Sequence, residues 1–167
     1  YAVIATIASG RAAPDILHGS FVKPGDRPMT TIRQDDFIQS VADAFQFISC
    51  YHPVDYIRAL HEAWQREESP AAKDAMAQIL INSRMAAEGH RPICQDTGIC
   101  MAFVRVGMDV RWDAKLSLAE MVNEGVRRAY LDPHNKLRAS VLADPDGKRK
   151  STGDNTPAVT HVELVPG

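Results

Sequence analysis

The sequence predicts an α+β fold: an N-terminal helical segment, then a mixed strand and helix region with an incomplete sheet. Three observations predict it. Apolar residues recur at helical spacing in three successive stretches between residues 31 and 89. Residues 99–106 (Ile-Cys-Met-Ala-Phe-Val-Arg-Val) are apolar on both faces except at Arg105, the pattern of a strand buried on both sides. A capped helical stripe at 117–130 and an alternating run at 159–165 follow, so strands come after helices rather than in strict rotation with them.

Residues 1–28 read differently from the rest. A small apolar stretch is followed by Gly10, Pro14, Gly19, Pro24, Gly25 and Pro28, with no helical period. This segment is expected to be an extension or leader outside the fold, and Met29-Thr30-Thr31 reads as a native start. From there Thr31 and Gln34 have the spacing of a capping box, and Phe37, Val41, Ala44, Phe45 and Ile48 form the stripe of a first helix. Pro53 opens a second helix with Val54, Ile57, Leu60, His61 and Trp64 on one side. Ser69-Pro70 starts a third through Ala72, Met76, Ile79, Leu80 and Ser83, with Gly89 as its stop.

After the strand at 99–106, Gly107-Met108-Asp109 makes a turn and 110–112 returns as a short strand. Ser117 with Glu120 is a second capping box, and Leu118, Met121, Val122, Val126 and Ala129 carry a fourth helix ending near Tyr130. Residues 132–158 are rich in Pro, Asp, Gly and Asn and read as loop, and 159–165 alternates as a strand. A strand in that position needs partners to satisfy its ladder, which points to further polypeptide or to an assembly.

Composition narrows the function classes. Hydrophobic residues make up 45% and charged residues 24% of 167, the profile of a globular chain with a real core. A net charge of −2 provides no basic surface for non-specific nucleic-acid binding. No apolar run approaches the ~20 residues of a membrane-spanning helix. Three cysteines are too few and odd for a disulfide framework, which makes a reducing compartment, the cytoplasm by default, the expected location. No four-ligand zinc spacing occurs.

Three segments carry candidate chemistry. Residues 91–98 (Arg-Pro-Ile-Cys-Gln-Asp-Thr-Gly) place a thiol, an amide, a carboxylate and a hydroxyl in consecutive positions between a helix stop and a buried strand. On residue chemistry alone Cys94 is open to three readings: metal ligand, nucleophile or inert buried thiol. Cys100, inside the strand, and Cys50, behind a helical stripe, read as structural. Residues 148–157 begin with Lys148-Arg149-Lys150, either an anion contact or a solvated loop, and lack the order of a phosphate-binding loop. Arg138, in Leu137-Arg138-Ala139-Ser140, either holds a carboxylate through paired hydrogen bonds or is a surface arginine at a helix end.

Taken in order, 91–98, 137–140 and 152–159 (Thr-Gly-Asp-Asn-Thr-Pro-Ala-Val) resemble the class I iron–sulfur fumarate hydratases and the related L-tartrate dehydratase α chain. Residues 81–87 (Ile-Asn-Ser-Arg-Met-Ala-Ala) resemble the helix before the first motif, and the likeness covers about residues 30–167. The resemblance implies that residues 29–167 are the N-terminal part of an iron–sulfur hydro-lyase catalytic domain acting in the tricarboxylic acid cycle. It implies a 4Fe–4S cluster held by three cysteines, of which Cys94 is one. It further implies that Gln95 and Asp96 face the substrate, with Asp96 in proton transfer or in steering the substrate, and that Arg138 binds a carboxylate of fumarate or malate. The run 152–159 is expected to shape the pocket floor.

Neither Cys50 nor Cys100 matches the family's other two cluster ligands, and the group usually taken as the base lies in later segments. This stretch alone is therefore expected neither to hold an intact cluster nor to turn over substrate. The implied partners are a small dicarboxylate, the rest of the enzyme or a β subunit, and a second copy in a homo-oligomer. Tartrate is the nearest rival substrate. A non-catalytic interaction or folding fragment and a thiol redox sensor at Cys94 are the readings from other classes.

Overall fold

The computed structural model describes residues 2–7, 30–96, 98–134 and 137–166, with 2–7 described through the course of the backbone. The elements run β1 (Ala2–Ile7), β2 (Thr31–Arg33), α1 (Gln34–Cys50), α2 (Val54–Arg66), α3 (Pro70–Gly89), β3 (Met101–Gly107), β4 (Arg111–Asp113), α4 (Leu118–Leu131) and β5 (Val159–Val165). This is the mixed α+β arrangement expected, built on a three-stranded parallel sheet in the order β1-β3-β5 and a two-stranded parallel sheet of β2 and β4.

The core lies where α1 and α4 cover one face of β3. Ala102, Val104 and Val106 alternate toward Phe37, Ile38, Val41 and Phe45 of α1 and Met121, Val122 and Val126 of α4. The two helices touch at Gly125, where an added Cβ would sit 2.6 Å from the Val41 side chain and 2.8 Å from the Ile38 carbonyl oxygen. The β3–α4–β5 unit is the parallel crossover that such a sheet requires. On the opposite face, Phe103 stacks on His161 with ring centroids 4.8 Å apart, and Arg105 pairs with Glu163 at 2.8 Å.

Two expectations are corrected. Thr31 and Gln34 form no capping box: Thr31 is in β2, and Arg33 is the N-cap of α1 without a side-chain cap. The Gln34 Oε1 instead accepts the backbone N–H groups of Lys115 and Leu116, both at 3.0 Å, ahead of α4. Second, β4 does not return onto β3, because β1 and β5 take both edges of that strand; it pairs with β2. In α2, which forms where expected, no residue is fully buried: Ile57, Leu60 and Trp64 are half-buried, while Val54 and His61 are exposed. Trp64 nonetheless carries the Lys73 ammonium of α3 over its ring at 5.2 Å.

Of residues 1–28, expected to lie outside the fold, the described part is β1, paired in parallel with β3 from Ala2 opposite Met101 to Ile7 opposite Val106. The remainder of that segment lies outside the described residues. The other boundaries follow the sequence signals. Ser69 caps α3 through its hydroxyl, Ser117 and Glu120 form a complete capping box, and α3 ends with His90 in the left-handed conformation at φ 46°. Among the described residues no helix is long and apolar enough to cross a membrane.

Candidate functional site

The loop at 91–98 leaves α3 through a left-handed cap and is fastened from two sides at Ile93. The Ile93 N–H donates to the Ser49 carbonyl at 2.8 Å, tying the loop to the last turn of α1. The Asn82 amide of α3 donates to the Ile93 carbonyl at 2.7 Å. A backbone held at both its donor and its acceptor has little freedom, so the next residues project from a fixed base.

Those next residues are Cys94, Gln95 and Asp96, all exposed, and they line a cavity of about 400 Å³. The Cys94 thiol lies 3.8 Å from the Asp96 carbonyl oxygen. Arg138, which also lines the cavity, donates from Nη2 to the Gln95 carbonyl at 3.1 Å. The four residues singled out from the sequence, Cys94, Gln95, Asp96 and Arg138, therefore share one cavity wall. Thr97 lies outside the described residues.

Sequence reasoning missed three more residues on this wall. Ser49 is buried with its hydroxyl donating to the Phe45 carbonyl at 2.7 Å, Asn82 is described above, and Tyr130 is buried at the end of α4. Ser49 and Tyr130 occupy core-facing helical positions, where periodicity reads packing and gives no hint of a cavity. Asn82 had a weak signal, as a polar residue inside an apolar helical run.

The segment 152–159 does not form the cavity floor. None of its residues lines the cavity; Asn155 sits behind it, fully buried, bonded to both neighbouring segments. Lys148, Arg149 and Lys150 also stand apart from the wall, on an exposed excursion closed by a bridge between Leu142 and Ser151. Asp144 accepts the backbone N–H groups of Gly147 and Lys148 within that excursion.

The three thiols differ in environment. Cys100 is sealed in the core, its sulfur receiving the Asn155 amide at 3.4 Å and facing the Tyr130 hydroxyl at 3.7 Å. Burial pushes its thiol up, against those two hydrogen bonds, so thiolate is disfavoured there. Cys50 is half-buried and its thiol is also raised by burial. Cys94 alone presents its sulfur to a cavity that a soft metal could enter. Among the described residues no group of three or more His, Cys, Asp or Glu is placed to hold a metal ion. The donors present thus fit one ligand position of a cluster and not a complete set.

Comparison with known proteins gives this geometry a context. The chain is 33% identical over 89 residues to a putative L(+)-tartrate dehydratase subunit alpha of Methanocaldococcus jannaschii, covering 53% of this chain and 31% of that protein. It is 30% identical over 126 residues to the L(+)-tartrate dehydratase subunit alpha of Escherichia coli K12, covering 75% of this chain and 41% of the relative. The matched stretch thus spans about a third to two fifths of the length of these curated relatives. The fumarate hydratase (Fumerase) family pattern matches residues 38–167, a stretch that runs from within α1 through β5 and takes in every residue of the cavity wall, and the chain belongs to that family.

Proposed function

We propose that residues 29–167 are the N-terminal part of an iron–sulfur hydro-lyase catalytic domain that adds water to, and removes it from, a four-carbon dicarboxylate. The observation that carries this reading is the convergence of Cys94, Gln95, Asp96 and Arg138 on one cavity. A thiol, an amide, a carboxylate and a guanidinium are the groups needed to anchor a metal, orient a substrate, handle a proton and neutralise a substrate carboxylate. In this reading Cys94 is one of the cluster's thiolate ligands, and the remaining ligands come from other polypeptide. The cluster, when bound, supplies a Lewis acid for the departing hydroxyl.

The chain's own residues do the positioning. Arg138 meets a substrate carboxylate with its planar fork, a geometry lysine does not reproduce. Gln95 offers both a donor and an acceptor to the substrate. Asp96 stands beside it as the proton-handling or steering carboxylate. Asn82 and Ser49 keep this loop in register with α3 and α1.

Fumarate and malate are the substrates we assign first, on the family match. L(+)-tartrate is the second reading, favoured by the names of the relatives in Methanocaldococcus jannaschii and Escherichia coli. On that reading a β subunit completes the enzyme; on the first, the rest of one longer chain does, within a homo-oligomer in the cytoplasm. The deciding experiment is anaerobic purification of the full-length protein, iron and sulfide analysis, and turnover of each substrate in turn. Fumarate hydration with bound iron and sulfide supports the assignment. Tartrate turnover with no fumarate turnover rejects the first substrate, and absence of both activities in iron-replete protein rejects the hydro-lyase reading.

A further inference from the structure

Asn155 has no exposed surface and a left-handed backbone at φ 60°, a conformation that asparagine tolerates better than most residues. Its carbonyl oxygen accepts two backbone N–H groups, from Ser140 at 2.9 Å and Val141 at 3.1 Å. Its amide nitrogen donates in the opposite direction, to the Gly98 carbonyl at 3.3 Å and the Cys100 sulfur at 3.4 Å. All four hydrogen-bonding positions of the side chain are used. Gly98 ends the loop that carries Cys94, Gln95 and Asp96, and Ser140 and Val141 follow Arg138 by two and three positions. One buried amide therefore joins the two segments that meet at the cavity, while lining no part of it. From Cys100 the chain of contacts reaches the Tyr130 hydroxyl on the cavity wall.

We infer that Asn155 is a positioning residue: it fixes the separation and register of the Cys94 loop and Arg138, and so the fit of the dicarboxylate between them. The inference rests on the proposed function for the identity of the ligand, and on the hydrogen bonds alone for the coupling. The two halves of the amide have separate duties. The acceptor half holds the Arg138 segment, and the donor half holds the Cys94 loop. A shape-conserving change to aspartate keeps the acceptor and replaces the two-donor NH2 by an oxygen with at most one O–H, which separates them.

The test uses the full-length protein and the variants Asn155→Asp and Asn155→Ala. Hydrogen exchange at Ser140 and Val141 and the iodoacetamide alkylation rate of Cys94 are measured after metal removal. KM and kcat for fumarate are measured after anaerobic reconstitution. In Asn155→Asp the two amides are expected to exchange within about twofold of wild type, while Cys94 alkylation changes at least about threefold. In Asn155→Ala both readouts move, and KM rises at least about fivefold by more than kcat falls, a split that loss of folded protein does not produce.

Wild-type exchange, alkylation and KM in Asn155→Ala overturn the inference, as does a drop in thermal midpoint with all three unchanged. If both variants fail to fold, Ser140→Ala, which removes only the exposed hydroxyl contact to the Gly98 carbonyl at 3.5 Å, is measured instead. An alkylation rate at Cys94 changed about twofold then supports the coupling, and an unchanged rate overturns it. A wild-type enzyme that turns over no dicarboxylate defeats the proposed function, whereas exchange and alkylation still decide the role of Asn155.

Discussion

Arg138 donates to the backbone carbonyl of Gln95 at 3.1 Å although 43 residues separate them. The bond orients the guanidinium against the loop that carries Cys94 and Asp96. In the proposed reading, such pre-organisation lowers the ordering cost of binding a substrate carboxylate. Ser49 and Asn82 on the cavity wall and Asn155 behind it are each bonded to backbone in the 93–100 stretch.

Replacing Arg138 is expected to weaken substrate binding in the full-length enzyme. Hydrogen bonds to a charged group contribute roughly 1.5–3 kcal/mol, so KM for the dicarboxylate should rise about 10- to 100-fold in Arg138→Ala. Arg138→Lys should recover little of it, because the ammonium keeps the charge and loses the fork. Steady-state kinetics of the two variants check this, and full recovery by lysine would show that charge alone is recognised.

Thiol reactivity should separate the cysteines. In metal-free folded protein Cys94 is expected to alkylate at least about a hundredfold faster than Cys100, which must wait for the core to open. Cys94→Ser should leave the thermal midpoint near that of the wild type, since the side chain is exposed, while lowering iron bound to the full-length protein. Peptide mapping after timed alkylation and iron analysis measure both. Equal rates at the two thiols would remove Cys94 from the cavity and the proposal with it.

Much of the fold was legible because the signals were local. Ser117 with Glu120, Ser69 with Pro70, and the alternation across 159–165 act over a few residues, and each element formed where it was expected. Elements fixed by distant partners were not legible. The Thr31–Gln34 spacing imitates a capping box, but the pairing of β2 with β4 and the reach of Gln34 to residues 115 and 116 override it. Nothing near residue 110 reveals that both edges of β3 are occupied, so β4 read as a return strand. At the cavity, Cys94, Gln95, Asp96 and Arg138 are legible as candidates because they stand in polar segments and in a recognisable order of motifs. The motif around Asn155 gives no hint of its contacts, because these lie in four partners up to 57 positions away.

Packing between α1 and α4 gives a stability prediction. Gly125→Ala gains helix propensity of about 1 kcal/mol, yet the new methyl must displace the Val41 side chain and the Ile38 backbone carbonyl. A carbonyl within a buried helix yields little, and overpacking costs typically ~1–3 kcal/mol, so the net effect should be destabilising. A loss of thermal midpoint of a few degrees is expected, about 2–4 °C per kcal/mol for a chain of this size. A midpoint raised above wild type would show that α1 and α4 are less closely packed than their contact at Gly125 indicates.

Acid sensitivity should trace in part to Glu124. Its carboxylate accepts Nε and Nη2 of Arg127, both at 2.7 Å, and Nε of Arg128 at 2.9 Å. These bonds, the Arg127 fork first, outweigh the opposing effect of burial and hold its pKa down at about 2, from an ordinary 4.5. With the folded value below the unfolded one, the unfolded chain binds the proton more readily between them. The contribution of Glu124 to stability is therefore whole above about pH 4.5 and lost as the pH falls through about 2. Glu124→Gln, which cannot ionise, should be less stable than wild type at neutral pH, with the gap closing across that window. Urea unfolding of both proteins at pH 7, 4.5, 3.5 and 2.5 measures it. A gap that stays constant down to pH 2.5 would assign the difference to packing rather than to the ion pairs with Arg127 and Arg128.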